Sequence, residues 1–365
     1  MPSVYLWSAL TAVGLVLVVI ASFLLYLHLR YTAIVGRIFE EQPLFFPLRS
    51  TPSGDGENLR FPTKDGLSLS GTYFKTTAAR RLGVIVFCHE YLGDRWSALP
   101  YAGHLRALGF DLFSFDFRNH GQSDHAPSYK PLHYVTNHEL LDLRAALTYL
   151  RSRPDRDSAG VGLFGVSRGG GTAICVGGKD PNVWGVVTDG AFPTKGTMIA
   201  YIIRWAEIYV SSKSIWMRMP YVVFEFLSWA ARKRSQARLN CRFPNVERAT
   251  ARISPRPLLM IHGAKDGYIS PKISQALFDL AGEPKELWLV PKAKHNKCRD
   301  IEGPAYLDRV AAFFLKSAPR ISSASSPAGL ASVLNLEASM VPNPNGATPS
   351  TAIHTVTMPS NALSH

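Results

Sequence analysis

The chain has 365 residues, of which 46% are hydrophobic and 18% charged, and its formal net charge is +13. This composition excludes a wholly disordered chain, and four cysteines spread over such a length exclude a small disulfide scaffold. The length allows one large domain or two small ones.

An uncharged apolar segment opens the chain, since Met1–Leu29 contains no Asp, Glu, Lys or Arg. As a helix, residues 4–29 are long enough to cross a bilayer core of about 30 Å. A cleaved signal peptide is the alternative, but the apolar run is too long and no basic residue precedes it. We therefore predict a single transmembrane helix over residues 4–29. The positive-inside rule then favours a cytoplasmic location for the part of the chain after the helix, because Arg30, Arg37 and Arg49 follow it.

Strands and helices alternate after a linker predicted for residues 30–58. Short apolar runs typical of buried strands recur, and Asn137–Arg151 carries the pattern of an amphipathic helix. The predicted strands are Leu67–Thr76, Gly83–Cys88, Phe110–Phe117, Gly160–Val166, Val183–Thr188, Pro257–Ile261 and Glu286–Val290. This alternation predicts one α/β domain over residues 59–318, with a mostly parallel sheet flanked by helices.

A helical insertion rich in aromatic and basic residues interrupts the alternation at residues 193–255. From Tyr201 to Arg256 there are eleven Lys and Arg against three Asp and Glu, which accounts for +8 of the net charge. The last part of the chain, residues 319–365, is dominated by Ser, Ala, Pro and Asn, which predicts a disordered tail.

A candidate nucleophile lies where one predicted strand meets the following helix. The sequence there is Gly165-Val166-Ser167-Arg168-Gly169. A sharp strand-to-helix turn exposes the central serine at the carboxyl edge of the sheet and requires small residues two positions before and after it. Gly165 and Gly169 meet that requirement, so we predict that Ser167 is a nucleophile at the N-terminal end of a helix.

A serine nucleophile needs a base, and the base needs a carboxylate to orient it. Asp266 follows the predicted strand Pro257–Ile261, and His295 follows Glu286–Val290. All three side chains then lie at one edge of one sheet, where such sheets bind ligands. We predict His295 as the base and Asp266 as the acid, with Asp189 as the alternative acid.

Attack on a carbonyl also requires two amide donors for the oxyanion. The backbone N–H of Arg168 is one candidate, and the backbone N–H of Tyr91, in the loop after Gly83–Cys88, is the other. No cofactor and no metal are predicted, because the cysteines are isolated and no phosphate-binding glycine loop is present. The remaining loop histidines are expected to bond backbone groups: His89, His120 and His262.

These motifs resemble the α/β-hydrolase superfamily, in particular its cap-bearing serine hydrolases (monoacylglycerol-lipase-like and serine-aminopeptidase-like members). The resemblance spans about residues 60 to 318 and rests on Gly165–Gly169, Asp116–Ser123, His262-Gly263 with Asp266, and His295. It implies an eight-stranded sheet and a helical cap formed by the insertion. One departure is His89-Glu90, where the family usually has His-Gly before the oxyanion donor.

The expected activity is that of a membrane-anchored serine esterase, lipase-like, acting on a lipid or hydrophobic acyl substrate through an acyl-enzyme. A peptidase, a thioesterase or an acyltransferase with the same triad remains open, and Glu90 keeps open a non-catalytic binding protein. The apolar stretch Pro220–Ala231 is followed by Arg232, Lys233, Arg234 and Arg238. This segment is predicted either to meet anionic lipid headgroups or to pack on its own domain. The anchor and the hydrolase motifs argue against a nucleic-acid partner.

Overall fold

The computed structural model describes residues 2–41, 47, 51–209 and 218–319, with an eight-stranded sheet at its centre. The strands are β1 Glu57–Pro62, β2 Ser68–Phe74, β3 Gly83–Cys88, β4 Phe110–Phe115, β5 Val161–Val166, β6 Val183–Asp189, β7 Leu258–Gly263 and β8 Lys285–Val290. Their order is β1-β2-β4-β3-β5-β6-β7-β8. Strand β2 pairs antiparallel with β1 and β4, and all other pairs are parallel. The predicted mostly parallel sheet is thereby confirmed.

Helices cover both faces of this sheet. The helices of the described residues are α1 Pro2–Glu40, α2 Ala98–Ala102, α3 Asn137–Ser152, α4 Arg168–Gly177, α5 Thr194–Tyr209, α6 Tyr221–Arg238, α7 Val246–Thr250, α8 Pro271–Asp279, α9 Cys298–Glu302 and α10 Pro304–Ser317. One apolar core lies between the sheet and α3, α4, α7 and α8, and another lies between the sheet and α2 and α10. Strands β3, β4, β5 and β7 are buried along their whole length, which explains their continuous apolar sequences.

A third apolar cluster joins the insertion to the carboxyl edge of the sheet. Insertion residues 193–255 contain α5, α6 and α7, while residues 210–217 lie outside the described part of the chain. Met198 and Ile202 of α5 and Leu227 of α6 are buried together with Phe192 and Ile269, which follow β6 and β7. The insertion therefore packs over the edge at which the strands β5 to β8 end.

Helix α1 extends beyond the predicted boundary at Leu29 and ends at Glu40. Its first part is exposed along almost its whole length from residue 5 to residue 26, whereas Leu27, Val35 and Phe39 are buried in the apolar cluster of the insertion. The linker predicted for residues 30–58 is therefore wrong at both ends, because α1 continues by packing on α6 and β1 already begins at Glu57. The predicted tail falls, apart from Pro319, outside the described residues.

Candidate active site

Ser167 occupies the turn between β5 and α4 in a strained backbone conformation, with φ 51° and ψ −116°. A Cβ atom on Gly165 would lie 2.3 Å from the carbonyl oxygen of Gly169, and one on Gly169 would lie 2.1 Å from the carbonyl oxygen of Cys88. Neither position can hold a side chain without moving the backbone. The Ser167 N–H donates to the carbonyl oxygen of Asp189 at 2.7 Å, which ties the turn to the end of β6.

Ser167, His295 and Asp266 are joined by two hydrogen bonds, although 128 residues separate the first two in sequence. Ser167 Oγ lies 3.0 Å from His295 Nε2, and His295 Nδ1 lies 2.7 Å from Asp266 Oδ2. Because an ionised carboxylate can only accept, Nδ1 carries the proton and Nε2 presents its lone pair to the serine hydroxyl. This arrangement allows His295 to remove the hydroxyl proton of Ser167.

Asp266 is held by the loop that follows β7. Its Oδ1 atom accepts the backbone N–H groups of Tyr268 and Ile269, both at 2.8 Å. Burial raises the pKa of Asp266, but hydrogen bonding to His295 and the nearby charge of that ring outweigh burial and leave the pKa below its ordinary value. The carboxylate is therefore ionised at neutral pH, as its place beside the imidazole requires.

The alternative acid, Asp189, is bound elsewhere. Its Oδ2 atom accepts the hydroxyl proton of Tyr306 at 2.9 Å, and its carboxylate also has a side-chain hydrogen bond with Cys298. Burial is the main cause that raises the pKa of Asp189 to about 6. The carboxylate that contacts His295 Nδ1 is that of Asp266.

The site is almost closed, with Ser167 only 1% exposed. The rings of Tyr268 and Phe192 lie 5.1 and 6.3 Å from the imidazole of His295. A larger residue would be strained at Gly190, where φ is 69°, and its Cβ would lie 2.9 Å from Asn296 Oδ1 and 3.3 Å from His295 Cε1. His133 is buried nearby, 5.7 Å from the Tyr268 ring, and burial lowers its pKa to about 3.

Four residues near His295 were not predicted from the sequence: Gly190, His133, Phe192 and Tyr268. Gly190 directly follows β6, so its position after a buried strand was the available signal. His133 lies in a loop before α3 and reaches the site only through the tertiary fold. Within the described parts of the chain, no group of three His, Cys, Asp or Glu side chains is arranged to hold a metal ion.

Arg168 and Tyr91, the predicted oxyanion donors, lie next to each other. Arg168 is the first residue of α4, where backbone N–H groups have no partner inside the helix. Its buried guanidinium donates to the carbonyl oxygen of Leu132 at 3.0 Å and to His120 Nε2 at 3.2 Å, and its central carbon lies 5.4 Å from the centre of the Tyr91 ring. The side chain of Arg168 thus connects α4 to the loop after β3.

The histidines expected to bond backbone groups do so. His89 Nδ1 donates to the carbonyl oxygen of Glu90 at 2.7 Å, and His120 and His262 donate to the carbonyl oxygens of Arg118 at 2.8 Å and Ile269 at 3.0 Å. Glu90 is fully buried, and its Oε2 atom lies 3.0 Å from the position that a Cβ on Gly93 would take. The Glu90 side chain therefore lies against Gly93 within its own loop.

A family profile described as alpha/beta hydrolase fold matches residues 83–216. The structure is similar to that of the esterase Pf2001 from Pyrococcus furiosus, with a TM-score of 0.55, 20% sequence identity and coverage of 76% of this chain and 100% of that one. The chain therefore has the α/β-hydrolase fold. This confirms the predicted fold class.

Two proteins with sequences similar to this chain match different shares of it. The uncharacterized protein YfhR of Escherichia coli K12 is 27% identical over 267 residues, which cover 72% of this chain and 81% of YfhR. The thiohydrolase aneE of Aspergillus aculeatus is 31% identical over 117 residues, which cover 32% of this chain and 35% of aneE.

Proposed function

We propose that this α/β hydrolase is a membrane-anchored serine hydrolase that cleaves a carboxylic ester of a lipid or another hydrophobic acyl compound. The observation that carries the proposal is the pair of hydrogen bonds that joins Ser167 Oγ to His295 and His295 to Asp266, at 3.0 and 2.7 Å. The similarity of the fold to an esterase of Pyrococcus furiosus supports ester hydrolysis as the reaction class.

In the proposed mechanism, Ser167 Oγ attacks the ester carbonyl while His295 Nε2 takes the hydroxyl proton. The backbone N–H groups of Arg168 and Tyr91 stabilise the oxyanion. The imidazolium, held by Asp266, returns the proton to the leaving alcohol as the carbon–oxygen bond breaks, which leaves an acyl-enzyme. Water then attacks the acyl carbon, His295 accepts its proton, and the carboxylic acid departs as Ser167 regains its proton.

A hydrophobic substrate is supported by the surroundings of the nucleophile. The aromatic rings of Phe192 and Tyr268 lie beside His295, and the apolar cluster of the insertion lies directly above them. Because Ser167 is 1% exposed, a substrate reaches it only when the insertion moves. An acyl chain suits such a space better than a polar group, whose desolvation would cost free energy.

Membrane anchoring is supported by the first part of α1. The helix from Tyr5 to Glu40 has a mean hydropathy of 2.6 over its most apolar window, and only 6% of that window is buried. An apolar helix that packs against so little protein is stabilised by a lipid environment. We propose that α1 spans a bilayer and that the catalytic portion lies on the cytoplasmic side, because Arg30 and Arg37 follow the apolar segment.

The test is covalent labelling with a fluorophosphonate probe, together with hydrolysis of p-nitrophenyl esters of increasing acyl length. Ser167→Ala is expected to abolish labelling and to lower kcat by about 10³-fold or more while the protein remains folded. Ser158→Ala, at an exposed position, is the matched control and should keep both activities. A folded unmodified protein that neither labels nor hydrolyses any ester contradicts the proposal and favours a binding protein.

A thioester substrate is the second candidate, since the relative aneE is named a thiohydrolase. Matched oxygen esters and thioesters with the same acyl chain distinguish the two. Higher kcat/KM for the thioester at every chain length would replace the ester assignment while leaving the role of Ser167 unchanged.

A further inference from the structure

A groove of about 400 Å³ lies between α1 and α6. Its walls are formed by four residues of each helix: His28, Leu29, Thr32, Ala33, Trp229, Ala230, Lys233 and Arg234. We propose that this groove binds the headgroup of an anionic phospholipid of the bilayer that α1 spans. The inference rests on the proposed membrane anchoring, but it does not depend on the proposed chemistry at Ser167.

The groove lies at the depth at which a headgroup is expected. The exposed apolar part of α1 runs from residue 5 to residue 26, which corresponds to about 33 Å of helix at 1.5 Å per residue. The apolar core of a bilayer is about 30 Å thick, so the next turns of α1 reach the headgroup region. His28, Thr32 and Arg30 are the polar residues of these turns, and the first two belong to the helix face that borders the groove.

The two walls are held together by packing next to the groove, which makes it a preformed site. Leu27, Val35 and Phe39 of α1 share one apolar cluster with Leu227 of α6. Further along, Arg238 of α6 forms an ion pair with Glu40 of α1. Ser235 of α6 packs beside Gly36, where a Cβ would lie 3.7 Å from the serine Oγ.

The charges at the groove suit a phosphate diester. Lys233 and Arg234 are exposed, and among the residues that the structure describes no carboxylate lies within 4.0 Å of their side-chain nitrogens. Other cations of the insertion do have such partners, as in the ion pair of Lys195 with Glu225. Arginine binds phosphate oxygens through a planar fork and lysine through a point charge, so this pair can hold one phosphate from one side.

The remaining wall residues suit the rest of a lipid molecule. Trp229 is 51% exposed and Leu29 is 73% exposed, and both border the groove on its membrane side. An indole ring is favoured at the membrane interface because its body is apolar and its N–H is polar. His28 Nδ1 lies 3.3 Å from Thr32 Oγ1, which leaves its other ring nitrogen for the headgroup. An inorganic anion would make no favourable contact with the apolar part of this wall, whereas the acyl chains of a phospholipid would. The proposed ligand is therefore a lipid.

The experiment uses the full chain in nanodiscs made either of phosphatidylcholine alone or with one part in five of phosphatidylglycerol. Lipids that stay bound after release into a mild detergent are counted by native mass spectrometry. We expect bound phosphatidylglycerol in excess of its share of the disc. Lys233→Gln with Arg234→Gln should reduce that excess, by about five-fold for each charge, which corresponds to roughly 1 kcal/mol.

The control carries the same charge change away from the groove, as Arg248→Gln with Lys272→Gln, both at exposed positions. It should retain the excess of phosphatidylglycerol. Equal retention by the two double variants would overturn the site, and so would complete displacement of the lipid by millimolar inorganic phosphate. If the unmodified protein failed to enter nanodiscs, the anchoring proposal would fall together with the groove. Normal insertion without any excess of phosphatidylglycerol would overturn the groove alone.

Discussion

Asp266 and Asp189 are both buried near the carboxyl end of a strand, but their carboxylates touch different groups. Asp266 contacts His295 Nδ1 at 2.7 Å, whereas Asp189 accepts a hydrogen bond from Tyr306 at 2.9 Å. Asp266→Asn is expected to lower kcat by about 10³- to 10⁴-fold, because the amide favours the wrong tautomer of the imidazole. Asp189→Asn should keep kcat within a few-fold. Ester hydrolysis by the two purified variants measures this, and the reverse ranking would reassign the acid.

Asp189 also predicts a pH dependence of stability. Its pKa is raised from 3.8 to about 6 in the folded state. Between these pH values the folded chain binds more protons than the unfolded chain, so the free energy of unfolding falls as the pH rises from about 4 to about 6 and then levels off. Asp189→Asn removes this loss. Relative to the unmodified protein, the variant should therefore gain melting temperature over that interval.

Thermal unfolding of the full chain in detergent micelles at pH 4 to 8 measures the effect. The control is Asp308→Asn, at an exposed position on α10. Its melting temperature should follow that of the unmodified protein at every pH. A constant offset between Asp189→Asn and the unmodified protein would show that the carboxyl group does not titrate in this range.

At the residue scale, the role of each residue was predicted from its position after a strand. Ser167, Asp266 and His295 each follow a strand, and in a parallel sheet such positions converge at one edge. Gly190 matters because it has no side chain, which leaves space for the His295 ring, and His133 reaches the Tyr268 ring from a loop. The position of Gly190 after β6 is visible in the sequence, but neither contact is, because each depends on distances that only the folded chain establishes.

At the element scale, the turn between β5 and α4 depends on the absence of side chains at two positions. We expect Gly169→Ala to destabilise the fold by about 2–4 kcal/mol, because the added Cβ would lie 2.1 Å from the Cys88 carbonyl oxygen. Gly54→Ala is the matched control, since a Cβ there meets nothing within 4 Å. Chemical denaturation of both variants measures the difference, and equal midpoints would contradict the steric argument.

Most of the strands that the sequence predicted have a strong burial signal; the edge strand β8 is the exception, since only its Val290 is fully buried. Strands β3 to β7 are apolar along most of their length because helices cover both faces. Strand β1 was missed because it lies at the edge of the sheet, where Phe61 is its only fully buried residue. The end of α1 was also missed. The sequence becomes less hydrophobic after Leu29 because the helix there packs on the rest of the protein and carries charged residues, but the helix itself continues to Glu40.

On the scale of the whole molecule, the second part of α1 belongs to the core of the insertion. Phe39 is 1% exposed and its ring lies 6.5 Å from that of Tyr134. Phe39→Ala is expected to cost about 3–5 kcal/mol through lost burial and the cavity left behind. Arg37→Ala, on the exposed side of the same turn, should leave stability nearly unchanged. Melting temperatures in detergent compare the two, and similar values would mean that α1 is only loosely attached.

Because α1 is unbroken from Pro2 to Glu40, its inclination is shared by everything that packs on its second part. When the apolar segment is longer than the hydrocarbon core of the bilayer is thick, the helix tilts so that this segment stays inside the core. A continuous helix tilts as a whole, so α6 and the rest of the insertion that packs on α1 would turn with it. Under the proposed anchoring, the thickness of the membrane would therefore change how the insertion and the site at Ser167 are oriented relative to the bilayer.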